Sequence, residues 1–440
     1  MREICDICIF LLKVMDKQDM EQTLEPQQQS RVKNLLHSLG PGITSAAAAV
    51  GGSHLVASTK AGAIYGWQLV VLILLVNLFK YPFFRAGVQY TMGTKTSLVE
   101  GYAKLGRPYL GLFTGLSVIA SVVSTAALLM FSASLLKYFI PFDLSMITLS
   151  IIVLVTCLAI LFVGHYKALN NLSKAIMAVL TVATLIALAI AIGKPAPVQP
   201  DFVSTSPWTL AGIGFIVVTM GWMPAPIEIS SFSSMWLKSQ CKDQKVTAKS
   251  ALFDFNVGYI GTALLAIVFL SLGALLMHGT GIKLQTSGVG FSHQLVNLYA
   301  STIGEWSRYL IAVIAFFCIF GSTITVIDGY ARVLSESQRL LSHKKTTSAT
   351  TTRIWMAGIS IAALGIILFL AKSLLPMLNF AMTLAFITTP FFALLNYILV
   401  SKASLPKELA VGPKLKALSI VGLIYLFGFL AVFIWWKWFM

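Results

Sequence analysis

A few ionisable side chains lie within long apolar stretches of this 440-residue chain: Lys80 and Arg85 around Pro82, then Glu228, Asp254, Asp328 and Arg332. A charge in the hydrocarbon of a bilayer costs about 3 kcal/mol even on lenient scales, so each needs a partner or a task. Glu228 stands apart because it follows Met223-Pro224-Ala225-Pro226. Two prolines two residues apart remove two N–H donors and clash with preceding carbonyls, which breaks a helix rather than bending it. The break frees backbone carbonyls and starts a half-helix whose N-terminus meets the carboxylate. An earlier apolar stretch carries a second interruption, Gly51-Gly52-Ser53, followed by His54. Irregular backbone at membrane depth is tolerated where it lines a cavity or binds something. The expected substrate-binding set is therefore Gly51, Gly52, Ser53 and His54 with Met223, Pro224, Ala225 and Glu228. Glu228 offers negative charge, His54 an imidazole nitrogen and Met223 a soft thioether of the kind that suits a transition metal, although a methionine in an apolar helix is ordinarily filler. Glu228, His54 and Asp328 are the side chains suited to carrying a coupled proton.

Each group also has a purely structural reading. Asp328 and Arg332, spaced i, i+4, can pair with one another. Lys80 and Arg85 can snorkel to the interface or form a buried pair with Glu228. Asp254 can serve a helix N-terminus, and His54 can be hydrogen-bonded in place.

The elements that must hold these residues follow from composition. Hydrophobic residues make up 57% of the chain and charged residues 11%, a balance that makes lipid the main solvent. Eleven membrane segments are predicted, at 42–65, 67–92, 109–137, 145–164, 172–193, 209–236, 251–277, 306–336, 354–371, 374–400 and 415–438. They form an all-α integral membrane domain over 38–440, preceded by a poorly ordered tail over 1–37. The two breaks fall in the first and sixth segments. Five segments apart, they mark the first members of two five-helix halves, 42–193 and 209–400, with an extra helix at 415–438. Interrupted segments at corresponding positions point to a central site between inverted repeats.

The net charge of +16 does not indicate nucleic acid, because the basic residues sit in short loops between apolar runs. With the N-terminus inside, 20 Lys and Arg fall in cytoplasmic regions, including Lys238, Lys242, Lys245, Lys249, Arg339 and Arg353. Lys194, Lys283, Lys372 and Lys437 fall outside, so the 20 to 4 ratio sets the orientation, in the cell membrane, with the C-terminus outside. Trp435, Trp436 and Trp438 read as an interfacial anchor. Cys5 and Cys8 form a CxxC without a second pair, so no zinc site is expected. No HExxH, GxSxG or P-loop is present, and the chain reads as a non-enzyme without a cofactor.

Three motifs, in order, carry a resemblance. Gly40-Pro41-Gly42 with Ala61-Gly62-Ala63 and Tyr65-Gly66, then Met223-Pro224, then Gly321-Ser322-Thr323-Ile324-Thr325 with Gly329-Tyr330-Ala331, resemble the first, sixth and eighth segments of the NRAMP (natural resistance-associated macrophage protein) metal-ion transporters. The resemblance implies a LeuT-like 5+5 fold and alternating-access transport of an inorganic cation, expected to be divalent, with proton coupling open. The family's first-segment Asp-Pro-Gly-Asn falls on Gly51, Gly52, Ser53 and His54, so its aspartate is absent. Its Met-Pro-His becomes Met223-Pro224-Ala225, and its second histidine position falls on Ser230. Of the usual ligands only Met223 stays. The alternatives are a LeuT-fold carrier of a small organic solute, such as an amino acid or amine, and a non-transporting membrane sensor.

Overall fold

The computed structural model describes residues 40–163, 166–243, 245–285, 287–370 and 374–439. The 1–37 tail, with its CxxC, lies outside the described residues, as does Lys372.

The first predicted segment is not one helix. It is α1 (Pro41–Ala49), a π-helical stretch (Ser53–Ser58) and α2 (Thr59–Tyr65). After α3 (Val70–Thr94) comes a short α4 (Leu98–Leu105), then α5 (Arg107–Lys137), α6 (Met146–Val163) and α7 (Tyr166–Gly193). The sixth segment is again split, into α8 (Ile213–Trp222) and α9 (Ile229–Asp243). The chain closes with α10 (Ala248–Leu276), α11 (Gly288–Ile303), α12 (Arg308–Leu341), α13 (Ala349–Leu370), α14 (Leu374–Lys402) and α15 (Pro413–Phe439). Among the described residues, nine helices are long and apolar enough to cross a membrane. With the two split segments they account for the eleven expected. Two helices were not foreseen. Both α4 and α11 lie in stretches read as loops, because each is too short and too mixed in polarity to register as a span.

The two breaks differ in kind. Between α8 and α9 the chain runs extended from Met223 (φ −90°, ψ 122°), as the prolines require. The glycine break is milder than expected. Instead of unwinding, the backbone passes through a turn at Val50–Gly51 into a widened π-helical turn, a local form found often at functional sites.

The split first segment is held at both ends. Pro41 has no N–H, and the donors around it are taken by one carboxylate from α10. Asp254 accepts from Gly40 N–H (3.1 Å) and Ile43 N–H (3.3 Å) on Oδ1, and from Gly42 N–H (2.6 Å) on Oδ2. Asp254 thus serves a helix N-terminus, as its structural reading had it, but the helix is α1 and not its own. Asp254→Asn replaces half of that acceptor by a donor aimed at backbone N–H groups. It should cost about 2 kcal/mol, read as a lowered thermal midpoint of the purified protein; an unchanged midpoint would show the contact carries nothing.

Further along, α2 and α10 meet backbone to backbone. A Cβ on Gly62 would stand 1.9 Å from the Leu270 carbonyl oxygen, and one on Gly273 would stand 2.2 Å from that of Thr59. The two glycines answer each other across the interface, the small-residue contact by which membrane helices pack closely.

The outside of the bundle is apolar. Val71, Val155, Leu264, Ile361, Phe369 and Ile424 are all exposed, as suits side chains solvated by lipid. At one end of the bundle Ser97 and Glu100 form a capping box on α4, and Glu100 also takes Lys238 of α9 at 2.5 Å. Burial alone would raise the Glu100 carboxyl, but Lys238 and Ser97 outweigh it and hold it below the ordinary value.

Candidate functional site

The second break follows from what its neighbours do with the freed groups. α8 ends at Trp222, and its last carbonyls have no helical partner. Pro224 and Pro226 have no N–H to offer them. The ammonium of Lys80, from α3, fills the gap: Nζ donates to the carbonyls of Met220 (2.8 Å), Gly221 (3.1 Å) and Ala225 (3.5 Å). Lys80 is fully buried. It therefore neither snorkels nor binds Glu228 directly, since no ion pair within 4.0 Å joins them, although the two charges interact through space. Arg85 is spent elsewhere, donating to the Tyr81 hydroxyl at 2.9 Å.

Glu228 sits at the start of α9, 1% exposed. Its Oε1 accepts from the Tyr330 hydroxyl of α12 at 2.9 Å, and its Oε2 has no hydrogen-bond partner. A buried carboxylate oxygen without a donor is costly, and such a group calls for a specific explanation. Met223 is also fully buried, and the Ser58 hydroxyl of the π-helical stretch reaches its sulfur at 3.7 Å. The thioether thus faces the first break from the second.

The first break contributes less than expected. His54 is buried, but both ring nitrogens are engaged: Nδ1 with the Ser53 hydroxyl (2.6 Å) and Nε2 with the Thr262 carbonyl of α10 (2.8 Å). The Ser53 hydroxyl, which has one proton to give, also lies against the Ala49 carbonyl. The Gly51 carbonyl is not free, because it accepts from Leu55 N–H at 3.2 Å. Nor are the glycines' Cβ directions open. A Cβ on Gly51 would lie 2.5 Å from the Ser322 hydroxyl, and one on Gly52 would lie 2.6 Å from the Trp222 ring. An aspartate at position 51 would first have to displace Ser322.

A small cavity of ≈ 30 Å³ lies between the two breaks, walled by Gly52, Ser53, Ser124, Trp222, Ala225 and Tyr330 among others. A second, also of ≈ 30 Å³, shares Ala49, Ala225 and Ile229 with it and reaches Pro224 and Thr262. Ala225 thus borders both. His54, Met223 and Glu228 line neither. Asp328 is committed to Arg332, which donates from Nε at 2.8 and 2.7 Å. Among the described residues no group of three or more His, Cys, Asp or Glu side chains could hold a metal ion. At the second break the acidic group is a single carboxylate, Glu228.

Three contributors escaped the sequence reading. Lys60, on α2, is 7% exposed and donates to Asn379 at 3.1 Å; it was visible as a cation inside the first segment. Tyr330 was noted only as part of a motif. Asn396, which donates to the Phe83 carbonyl and to Ser230 (2.8 and 2.9 Å) and accepts from Tyr102, ties α14 to the position of the family's second histidine. Neither residue has a local signal, because their partners lie on other helices.

The sequence profile of the natural resistance-associated macrophage protein-like (NRAMP) family matches residues 42–436. The chain belongs to the NRAMP family. This NRAMP protein is a membrane transporter and not an enzyme. It is 48% identical to the Pasteurella multocida protein PM0681 over 422 residues, covering 94% of this chain and 96% of the relative. Its fold is similar to that of a mutant of the Eremococcus coleocola manganese transporter, at TM-score 0.68 and 15% identity, with 93% of this chain and 88% of that one covered. It is also similar to that of MHP1, a nucleobase-cation-symport-1 family transporter in a closed conformation with bromovinylhydantoin bound, at TM-score 0.57 and 14% identity, covering 90% and 92%. The LeuT-like architecture expected from the two breaks is the one these structures share.

Proposed function

We propose that this NRAMP protein moves a divalent metal ion through the membrane by alternating access, with Glu228 as the anionic anchor. One observation carries the reading: a fully buried carboxylate at the helix break keeps one oxygen, Oε2, without a partner. A cation stripped of water needs a compensating charge in a low-dielectric site, and Glu228 is the acidic group placed to supply it. The thioether of Met223 adds a soft donor. The structural likeness to the Eremococcus coleocola manganese transporter supports the metal class. Proton coupling belongs to the same reading. Asp328 is held by Arg332 and His54 uses both ring nitrogens, so Glu228 is the candidate with an oxygen left to hold a proton when the ion leaves. The orientation rests on the Lys and Arg asymmetry, which puts the N-terminus in the cytoplasm of a cell whose bounding membrane holds the protein.

The test is uptake into proteoliposomes across a panel that includes Mn²⁺ and Mg²⁺. Saturable uptake of at least one divalent ion, absent from empty vesicles, is expected. No saturable uptake of any divalent ion would end the reading. Because Gly51 replaces the family's aspartate, Mn²⁺ uptake is expected to need more than low-micromolar concentrations.

A further inference from the structure

We propose that Lys80 is a resident cation that occupies the carbonyl cage of the second break and so sets this protein's ion selectivity. The inference rests on the reading of that break as the cation site. An ammonium has three protons and no acceptor. All three are accounted for, by the carbonyls of Met220, Gly221 and Ala225 at 2.8, 3.1 and 3.5 Å. A substrate carboxylate would find no proton left on Lys80, so the residue is not an anchor for an organic acid. It stands where an ion would stand: at the C-terminal end of a half-helix, on the Met220 carbonyl, whose helical donor position is Pro224, and on two more carbonyls at the break. The cage oxygens that would dehydrate an incoming cation are therefore already used by the chain itself.

Charge makes the same point. Lys80 and Glu228 are both buried and interact through space, so the break is close to neutral before any substrate arrives. A metal ion approaching Glu228 meets the repulsion of a fixed ammonium and is offered one carboxylate oxygen, Oε2. Lys80 thus holds divalent-ion affinity down. It also keeps the broken segment assembled without an ion, because it supplies donors to carbonyls that would otherwise be buried and unpaired.

The experiment compares the purified full-length protein with Lys80→Gln and Lys80→Arg. Mn²⁺ binding is measured by calorimetry at constant ionic strength, and thermal midpoints are taken with and without the ion. Lys80→Gln keeps two N–H donors and loses the charge. It should bind Mn²⁺ at least about tenfold more tightly than wild type, and its midpoint should rise more on adding the ion. Lys80→Arg keeps the charge and should bind no more tightly than wild type. If Lys80→Gln is recovered folded only in the presence of Mn²⁺, the ion has taken the place of the ammonium and the proposal holds. If Lys80→Gln is no tighter than wild type, or cannot be recovered with or without ions while Lys80→Arg folds normally, Lys80 is a structural cap alone and the proposal is overturned. The two readings separate cleanly. Mn²⁺ binding by Lys80→Gln but not by wild type upholds Lys80 as the selectivity residue and leaves the native cargo to the uptake panel, whose failure alone ends the divalent-metal reading. Equal binding by both removes Lys80 and leaves the cargo reading standing.

Discussion

Glu228→Gln is expected to lower metal-ion transport by at least about a hundredfold while the protein still inserts and folds. The substitution keeps the shape of the side chain and its contact with Tyr330, and it removes the anionic charge. Glu228 is 1% exposed, so no bulk water replaces that charge for a bound ion. A hydrogen bond or ion contact to a charged group is worth about 1.5–3 kcal/mol, and the uncompensated desolvation of the ion adds to it. At about 1.4 kcal/mol per factor of ten, two orders of magnitude is about 2.8 kcal/mol, the upper end of the contact alone, and the desolvation cost carries the loss at least that far. The fold should survive, because Lys80 loses a balancing charge but keeps all three of its carbonyl acceptors when Glu228 is neutralised. Tyr330→Phe is the companion: it removes the donor to Oε1 and leaves the charge, so it should cost transport far less. Initial uptake rates in proteoliposomes, normalised to folded protein, decide the matter. A folded Glu228→Gln protein that transports at the wild-type rate would take this residue out of the mechanism.

Gly62→Val should abolish accumulation of folded protein, and Gly273→Val should do the same. The ideal Cβ positions fall 1.9 Å from the Leu270 carbonyl oxygen and 2.2 Å from the Thr59 carbonyl oxygen. Both obstacles are helical backbone, which cannot swing aside as a flexible side chain can. Relief requires α2 and α10 to move apart, and the π-helical stretch that carries His54 and Ser58 packs against the same α10. Overpacking in a well-filled core typically costs about 1–3 kcal/mol; a clash with backbone on both faces of one interface belongs at or beyond that upper end. Size-exclusion profiles and thermal midpoints of the purified variants measure it. Gly428→Val is the comparison, since a Cβ there meets nothing within 4 Å. A Gly62→Val protein as monodisperse and stable as Gly428→Val would show that the close approach is not required.

Much of this molecule is set by local chemistry, and that part was readable without a fold. Long apolar runs must be helices in lipid, where no water can satisfy an open backbone, so eleven segments followed from hydropathy alone. A lone proline such as Pro82 is carried inside a helix, but Pro224 and Pro226, two residues apart, break one, so the second break and the exceptional place of Glu228 were local consequences as well. The i, i+4 spacing of Asp328 and Arg332 lies along a single helix and was legible for the same reason. What remained hidden needed knowledge of which helix faces which. Lys80 and the carbonyls it caps are about 140 residues apart, and no periodicity in α3 shows that its ammonium enters a break in another segment. Tyr330 reaches Glu228 across 102 positions and Asp254 reaches the start of α1 across more than 200. His54 followed a break and was free, on sequence grounds, to point toward a substrate; its ring turns to the Thr262 carbonyl of α10 instead. Side chains in a membrane interior satisfy themselves on whichever polar group packing brings near. The sequence therefore determined where the backbone must open and which charges had to be buried. The tertiary structure decided which of those charges were spent on the protein itself and which one, Glu228, kept an oxygen in reserve.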